Sequence, residues 1–213
     1  GGEDHISIHH PNEIAQSEGA SGKSPFVKYW LHTAFLMVDG KKMSKSFENF
    51  YTFADIEKKG FDPIALRYLY LGGHYRDPIN FTWESLQSSQ NAFDKLKKQV
   101  SSLKTEGDRT VLSEEKNDKV ESFRNDFMTA VNDDLNTSKA LSVLWEMLKS
   151  NIPSGDKYDL AISFDEVLGL GLKVAQVEKV SQVSQEVKKL MEKREKLRKE
   201  KNFEEADKIR KQI

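Results

Sequence analysis

The chain has 213 residues, of which 37% are hydrophobic and 31% are charged, and this length is sufficient for the core of one or two domains. Its formal net charge of -1 excludes overall basicity as a sign of nucleic-acid binding, so any RNA contact must come from a local patch. The chain has no cysteine, which excludes disulfides and thiolate metal ligands, and no apolar run of about 18 residues, which excludes a membrane-spanning helix.

The chain opens with Gly-Gly-Glu-Asp at residues 1–4, which predicts a turn. The next polar group consists of His9, His10 and Glu13. Pro11 favours the first turn of a helix, so His9 and Glu13, four residues apart, can converge on one point. Taken alone, the first group is an ordinary turn, and the His/Glu pair also fits helix capping and solvation.

Residues 18–24 contain small and polar side chains and predict a surface loop. The pair Ser24-Pro25 then predicts the start of a second helix. We expect the aromatic face of this helix to lie in the core. That face consists of Phe26, Tyr29, Trp30 and Thr33.

The apolar run at residues 35–38, closed by an Asp-Gly pair, predicts a buried strand and a turn. The sequence Lys-Met-Ser-Lys-Ser follows at residues 42–46, so Lys42 and Lys45 flank small hydroxyl donors. Open α/β sheets bind nucleotides at the carboxyl ends of their strands, and this order therefore predicts a phosphate site. The alternative for these five residues alone is a solvated turn.

The rest of the chain predicts helices. We expect them at residues 52–60, 62–71, 82–103, 113–131, 138–148 and 158–168, with two charged helices at 183–212. The polar segment at residues 105–110 predicts a domain boundary. The basic residues of the last two helices fit either an RNA-facing patch or a solvated hairpin.

The helices after residue 113 predict a bundle. The first of them carries an apolar stripe of Val120, Phe123, Phe127, Met128 and Val131. Asp133 and Asp134 precede the next helix and are predicted to be capping residues, with catalytic acids as the alternative.

Several motifs, in the same order along the chain, resemble cysteinyl-tRNA synthetases, a family of class I aminoacyl-tRNA synthetases. They are His-His-Pro-Asn-Glu-Ile-Ala-Gln-Ser-Glu at 9–18, Tyr-Trp-Leu-His-Thr at 29–33, Lys-Met-Ser-Lys-Ser at 42–46, Leu-Arg-Tyr at 66–68, His-Tyr-Arg at 74–76, Asn-Asp-Asp-Leu-Asn-Thr at 132–137 and Asn-Phe-Glu-Glu-Ala-Asp-Lys-Ile-Arg at 202–210.

The resemblance implies a mainly α fold with an α/β remnant. Residues 1–50 would be the carboxyl-terminal part of a Rossmann-type class I catalytic domain, 51–104 a stem-contact helical region, and 111–213 a DALR-like helical tRNA-binding bundle that is truncated at its carboxyl end. The His-rich motif and the two cysteine ligands of the family are not in these residues. We therefore expect a carboxyl-terminal portion of a longer enzyme that is inactive by itself.

The resemblance also implies an ATP site. Its residues would be Gly2, Asp4, Met43, Ser44 and Lys45. Lys42 and Lys45 are the implied catalytic residues, which would hold the phosphates of Mg-bound ATP and stabilise the charge on departing pyrophosphate.

In the family a zinc ion binds the thiolate of the substrate cysteine, and His9 and Glu13 match its histidine and glutamate ligands, with His10 as the alternative histidine. A thiolate binds zinc more strongly than a hydroxyl does, which selects cysteine over serine. Arg67, His74 and Arg76 are candidates for contacts with the tRNA backbone or for supporting the active site. For the two arginines the alternative is a structural ion pair.

The implied reaction joins cysteine to ATP as cysteinyl-adenylate and then transfers the cysteine to tRNA(Cys). The expected protein is a cytoplasmic monomer without a signal-like amino terminus or a membrane contact. One alternative is a related ligase that joins cysteine to an amino sugar. Another is a non-catalytic helical module that binds RNA or protein.

Overall fold

A computed structural model describes residues 1–43, 49–103 and 113–173, together with the single positions 193, 205, 207 and 209. The helices are α1 (His9–Ser21), α2 (Phe53–Lys58), α3 (Pro63–Leu71), α4 (Trp83–Leu103), α5 (Glu114–Asn132), α6 (Thr137–Lys149) and α7 (Ser154–Leu168). The strands are β1 (Leu36–Val38), β2 (Lys41–Lys42) and β3 (Ile79–Phe81).

The chain divides into two compact units, Gly1–Lys173 and Val174–Ile213. Apart from the four single positions, the charged helices predicted at residues 183–212 lie outside the described residues. The division into three domains at 1–50, 51–104 and 111–213 stays a prediction. In the described part of the chain, no helix is long and apolar enough to cross a bilayer.

The predicted fold class is confirmed, because the described residues are mainly helical and carry one small sheet. The sheet has the order β2-β1-β3. Strand β1 pairs antiparallel with β2, with Val38 opposite Lys41, and parallel with β3, with Val38 opposite Phe81. Sequence patterns predicted β1 but neither β2 nor β3, which have only two and three residues.

Short-range polar contacts fix the starts of three predicted helices. Thr52 forms a capping box with Asp55, in which each side chain accepts a hydrogen bond from the other residue's backbone amide. The Asp62 carboxylate accepts from the amide of Ile64 at 2.9 Å, next to a proline in the first turn of α3. The Thr82 hydroxyl accepts from the amide of Ser85 at 3.0 Å and opens α4.

One hydrophobic core extends through the Gly1–Lys173 unit, from Val38 in β1 to Leu172 beyond α7. Helices α5, α6 and α7 pack on one another, as the predicted bundle requires. The rings of Phe127 and Phe164 stack with their centroids 4.0 Å apart and join α5 to α7. The indole of Trp145 in α6 donates to the hydroxyl of Tyr68 in α3 at 2.9 Å.

The helix predicted to start at Ser24 is absent, and the loop predicted at 18–24 is wrong for residues 18–21, which belong to α1, and correct for residues 22–24. Helix α1 continues to Ser21 and ends at Gly22, whose φ of 66° is left-handed. The amide of Phe26 then donates to the Glu18 carboxylate at 2.9 Å, which turns the chain back along α1.

The side chains on the predicted aromatic face are not in the core. Phe26, Tyr29 and Trp30 are 47%, 90% and 40% exposed. The physical reason is tertiary, because Thr33 pairs with Gly2 as an isolated parallel bridge and the segment before it must be extended.

Two details of the bundle also differ from the prediction. Met128 is 45% exposed, whereas Val120 and Phe127 of the same stripe are buried. The cap of α6 is neither Asp133 nor Asp134 but Asn136, whose side chain accepts from the amide of Lys139 at 3.1 Å.

Candidate functional site

A β-hairpin presents the first lysine of the 42–46 motif. Asp39 and Gly40 have φ values of 50° and 73°, so the tight turn between β1 and β2 uses two left-handed residues. The amide of Gly40 donates to the Asn80 side chain at 2.8 Å, which ties the turn to β3. Lys42 is exposed, and its ammonium lies 5.2 Å from the centroid of the Phe35 ring.

The first residue of the motif is joined to Asn49, three residues beyond its end, by a hydrogen bond that the sequence did not predict. The Asn49 side chain donates to the carbonyl of Lys42 at 3.1 Å. Met43 is half-buried and packs against the core. Residues 44–48, which include the predicted site residues Ser44 and Lys45, lie outside the described residues.

The Gly-Gly-Glu-Asp turn lies against the segment that leads into β1. The amide of Thr33 donates to the carbonyl of Gly1 at 3.0 Å, and the amide of Glu3 donates to the carbonyl of Thr33 at 3.1 Å. Because the sequence predicts an ATP site at Gly2 and Asp4, we call Gly1, Gly2, Thr33 and Ala34 the nucleotide edge. A side chain at Gly2 would collide with the carboxylate of Asp4, which is itself exposed. Because an exposed carboxylate can turn away, this contact does not require glycine at position 2.

An apolar cavity of about 390 Å³ lies next to Met43. Its walls come from β1, β3, α2, α3 and the segment before α2, and include Leu36, Tyr51, Phe53 and Leu66. Such walls cannot solvate phosphate, so this cavity does not suit a phosphate group.

Four histidines surround the start of α1. The ring of His10 lies with its centroid 5.4 Å from that of His9, 5.5 Å from that of His5 and 4.9 Å from that of His32. Burial, followed by the neighbouring imidazole of His32, lowers the pKa of His10 below its ordinary value. Within the described residues, Nε2 of His10 and Nε2 of His32 are buried without a hydrogen-bond partner.

His9 and Glu13 lie one turn apart on α1, as the predicted zinc site requires. A structural or catalytic zinc ion, however, takes at least three protein ligands. In the described residues no three histidine, aspartate or glutamate side chains are arranged to hold a metal, and the sequence has no cysteine. The described residues therefore fit part of a zinc site and do not complete one.

All three candidate tRNA contacts make internal contacts. Nε of Arg67 donates to the carbonyl of Leu168 at 2.6 Å, at the end of α7. His74 and Arg76 both contact Asp134, in the turn between α5 and α6. The contact of Arg76 with Asp134 is the ion pair of the structural alternative, whereas the bond of Arg67 goes to a backbone carbonyl and not to a carboxylate. Both arginines remain exposed.

The carboxylate of Asp134 collects several hydrogen bonds that the sequence did not predict. Its carboxylate accepts from Nε and Nη2 of Arg76 at 2.6 Å and 3.2 Å, and from the hydroxyl of Tyr75 at 2.6 Å. These bonds, the arginine first, lower the pKa of Asp134 to about 2, and the bond from Tyr75 raises the pKa of that tyrosine. No local sequence signal indicates a contact between residues 58 positions apart.

Two families match parts of the chain. Residues 1–91 match the tRNA synthetases class I (C) catalytic domain, and residues 126–151 match the DALR domain. The first match contains the nucleotide edge, the histidines and the lysine motif. The second covers the end of α5, the turn with Asp134, and α6.

Curated relatives match along the entire chain. Cysteine–tRNA ligase 1 of Burkholderia lata is 40% identical over 211 residues, which are 99% of this chain and 42% of the relative. The cysteine–tRNA ligases of Bacillus licheniformis and Chlamydia felis are both 39% identical over all of this chain, which covers 47% and 46% of them. The chain thus spans less than half the length of these relatives.

Proposed function

Because the chain belongs to the cysteine–tRNA ligase family of class I tRNA synthetases, we propose that its residues serve the ATP-dependent attachment of cysteine to tRNA(Cys). The observation that carries the proposal is the similarity to cysteine–tRNA ligases over the entire chain. A hairpin on which Lys42 is exposed agrees with it. The cytoplasmic location and the monomeric state stay predictions.

In the proposed first step, a carboxylate oxygen of cysteine attacks the α-phosphorus of ATP, and the bond to pyrophosphate breaks. Lys45, assisted by Lys42, stabilises the negative charge that develops on the departing pyrophosphate. Met43 holds the start of the lysine loop against the core. Gly2 lets the backbone approach the nucleotide, and Asp4 accepts hydrogen bonds from its ribose.

In the proposed second step, a hydroxyl of the terminal ribose of the tRNA attacks the carbonyl of cysteinyl-adenylate and releases AMP. The match of residues 126–151 to the DALR domain supports a tRNA-binding role for the bundle. His9 and Glu13 would supply two donors of a zinc site that selects the cysteine thiolate. Because the described residues do not complete that site, we assign no step to the metal.

The proposal is tested on the native protein that carries these residues, by cysteine-dependent exchange of pyrophosphate into ATP and by charging of tRNA(Cys). We expect Lys45→Ala to slow the exchange by about 100- to 1,000-fold, because one preorganised charge at the leaving group is lost. Lys41→Ala is the matched control, since Lys41 is an exposed lysine on the same hairpin, and it should keep the wild-type rate. Exchange that depends on another amino acid, or on none, would refute the proposal.

A second prediction concerns the 213 residues by themselves. We expect no cysteine-dependent exchange from them, because the sequence lacks the cysteine ligands and the His-rich motif of the family. The measurement is the same exchange assay on the purified chain. Clear exchange above a Lys45→Ala background would show that these residues form a complete site.

A further inference from the structure

A continuous series of hydrogen bonds connects the nucleotide edge to the bundle. The amide of Thr33 donates to Gly1, and the amide of the next residue, Ala34, donates to the carbonyl of Tyr75 at 2.9 Å. The hydroxyl of Tyr75 then donates to Asp134 at 2.6 Å. The series therefore ends in the turn before α6, within the region that matches the DALR domain.

Three consecutive side chains, His74, Tyr75 and Arg76, converge on Asp134, and we call them the 74–76 loop. Arg76 makes a two-pronged bond to the carboxylate, and Nε2 of His74 lies 2.9 Å from the backbone oxygen of Asp134. Planar, two-pronged arginine–carboxylate pairs fix orientation as well as distance. The loop is thus held in one place from the bundle side.

The turn that carries Asp134 has an unusual backbone. Asp134 and Leu135 have φ values of 52° and 55°, which are left-handed and disfavoured for residues with a side chain. Such a conformation persists only where surrounding contacts hold it. Here the amide of Leu135 donates to Val131, that of Asn136 donates to Ala130, and the 74–76 loop holds the side chain of Asp134.

From these contacts we propose that Asp134 is a positioning residue of the nucleotide edge. Asp134 touches no proposed substrate. It fixes the 74–76 loop, and the carbonyl of Tyr75 in turn fixes the amide of Ala34 next to Thr33 and Gly1. The placement of the ATP-binding turn therefore depends on the α5–α6 turn of the bundle. The part of this inference that concerns ATP rests on the proposed function.

Hydrogen–deuterium exchange on the 213-residue chain tests the structural part without any ligand. The variant Asp134→Gly removes the carboxylate but suits a left-handed φ, so it adds no backbone strain. The control Asp133→Gly makes the same substitution one residue earlier. We expect Asp134→Gly to speed exchange of the Thr33 and Ala34 amides by about tenfold, because local opening releases both.

The amide of Phe93 in the buried part of α4 serves as the global reference. Equal acceleration at Phe93 and Ala34 would report general destabilisation and would overturn the positioning role, as would equal exchange in the two glycine variants. Asp134→Asn keeps one oxygen acceptor and tolerates the left-handed region, so it should restore part of the protection.

The same pair of variants in the native protein tests the functional part. We expect Asp134→Gly to raise KM for ATP in the exchange assay by about tenfold while kcat stays near wild type, because binding and not chemistry is affected. Asp133→Gly should change neither constant. A fall in kcat without a rise in KM would overturn the role. If the wild-type protein shows no pyrophosphate exchange, the proposed function fails. The hydrogen–deuterium exchange result still decides whether Asp134 holds the nucleotide edge in place.

Discussion

At the scale of single residues, Asp134 and the 74–76 loop form a cluster of charged and polar contacts. Arg76 and Tyr75 donate to the ionised form of the carboxylate, so protonation must give up those bonds. The carboxylate is partly open to water, which weakens each bond taken separately. Because several donors converge on this carboxylate, the pKa of Asp134 still lies well below its ordinary value.

We expect the stabilising effect of Asp134 to depend on acid pH. Because its pKa falls from 3.8 to about 2 on folding, the ionised carboxylate stabilises the fold above the unfolded pKa, and this contribution is lost as the pH falls towards 2. The difference in unfolding free energy between wild type and Asp134→Asn should therefore shrink between about pH 4 and pH 2.

Urea titrations at several pH values measure that difference, with Asp133→Asn as the control. Taking the difference cancels the contributions of the other carboxylates that titrate in the same pH range. A difference between wild type and Asp134→Asn that is the same at every pH would contradict the prediction.

At the scale of elements, helix starts follow from local chemistry in some places and not in others. Thr52 has the full reciprocal capping box with Asp55. Ser113, which occupies the corresponding position before α5, makes no side-chain cap bond. Two hydroxyl residues at helix starts are therefore expected to contribute differently to the free energy of unfolding.

We expect Thr52→Ala to lower the unfolding free energy by about 1 kcal/mol, the usual effect of losing a cap. Ser113→Ala should have almost no effect, because its hydroxyl does not satisfy an amide of the helix. Both variants are measured by urea unfolding followed by circular dichroism. Equal losses in the two variants would show that the capping box does not stabilise α2.

Sequence patterns predicted the elements that depend on near neighbours. Thr52, Asp62 and Thr82 mark helix starts because their partners lie two or three residues away. The failures depend on distant partners. Strand β3 exists because β1 lies beside it, and residues 22–34 stay out of a helix because Thr33 pairs with Gly2.

The same distinction applies to the candidate site. The lysine motif and the His9/Glu13 spacing could be recognised in the sequence, whereas the bond from Asn49 to Lys42 required the structure. The contact of Arg76 with Asp134 also joins distant positions. A motif shows which residue types are present, and the fold decides which partners they meet.

At the scale of the molecule, the Gly1–Lys173 unit depends on one shared core. Val38 of the sheet and Phe164 of the bundle belong to the same buried cluster. Phe164 is 2% exposed and stacks on Phe127, whereas Val167 on the same helix is 45% exposed. Removing a ring at this contact leaves a cavity between α5 and α7.

We expect Phe164→Ala to lower the unfolding free energy by about 3–5 kcal/mol, as large-to-small changes of buried aromatic residues do. Val167→Ala is the control and should change it by less than about 0.5 kcal/mol. Urea unfolding monitored by circular dichroism gives both values. If Phe164→Ala splits the curve into two transitions, the α/β part and the bundle unfold separately, which would contradict their dependence on one shared core.

The hydrogen bond between Trp145 and Tyr68 should affect the fluorescence of Trp145. The emission wavelength of a half-buried indole that donates to a phenol differs from that of an indole that donates to water. The bond from Trp145 to Tyr68 forms only while α6 packs against α3. Trp30, by contrast, lies at the surface. The chain has a third tryptophan, Trp83, which packs against the core. In a variant with Trp30 and Trp83 replaced by phenylalanine, the fluorescence of Trp145 therefore reports whether α6 and α3 are in contact during folding, binding or turnover.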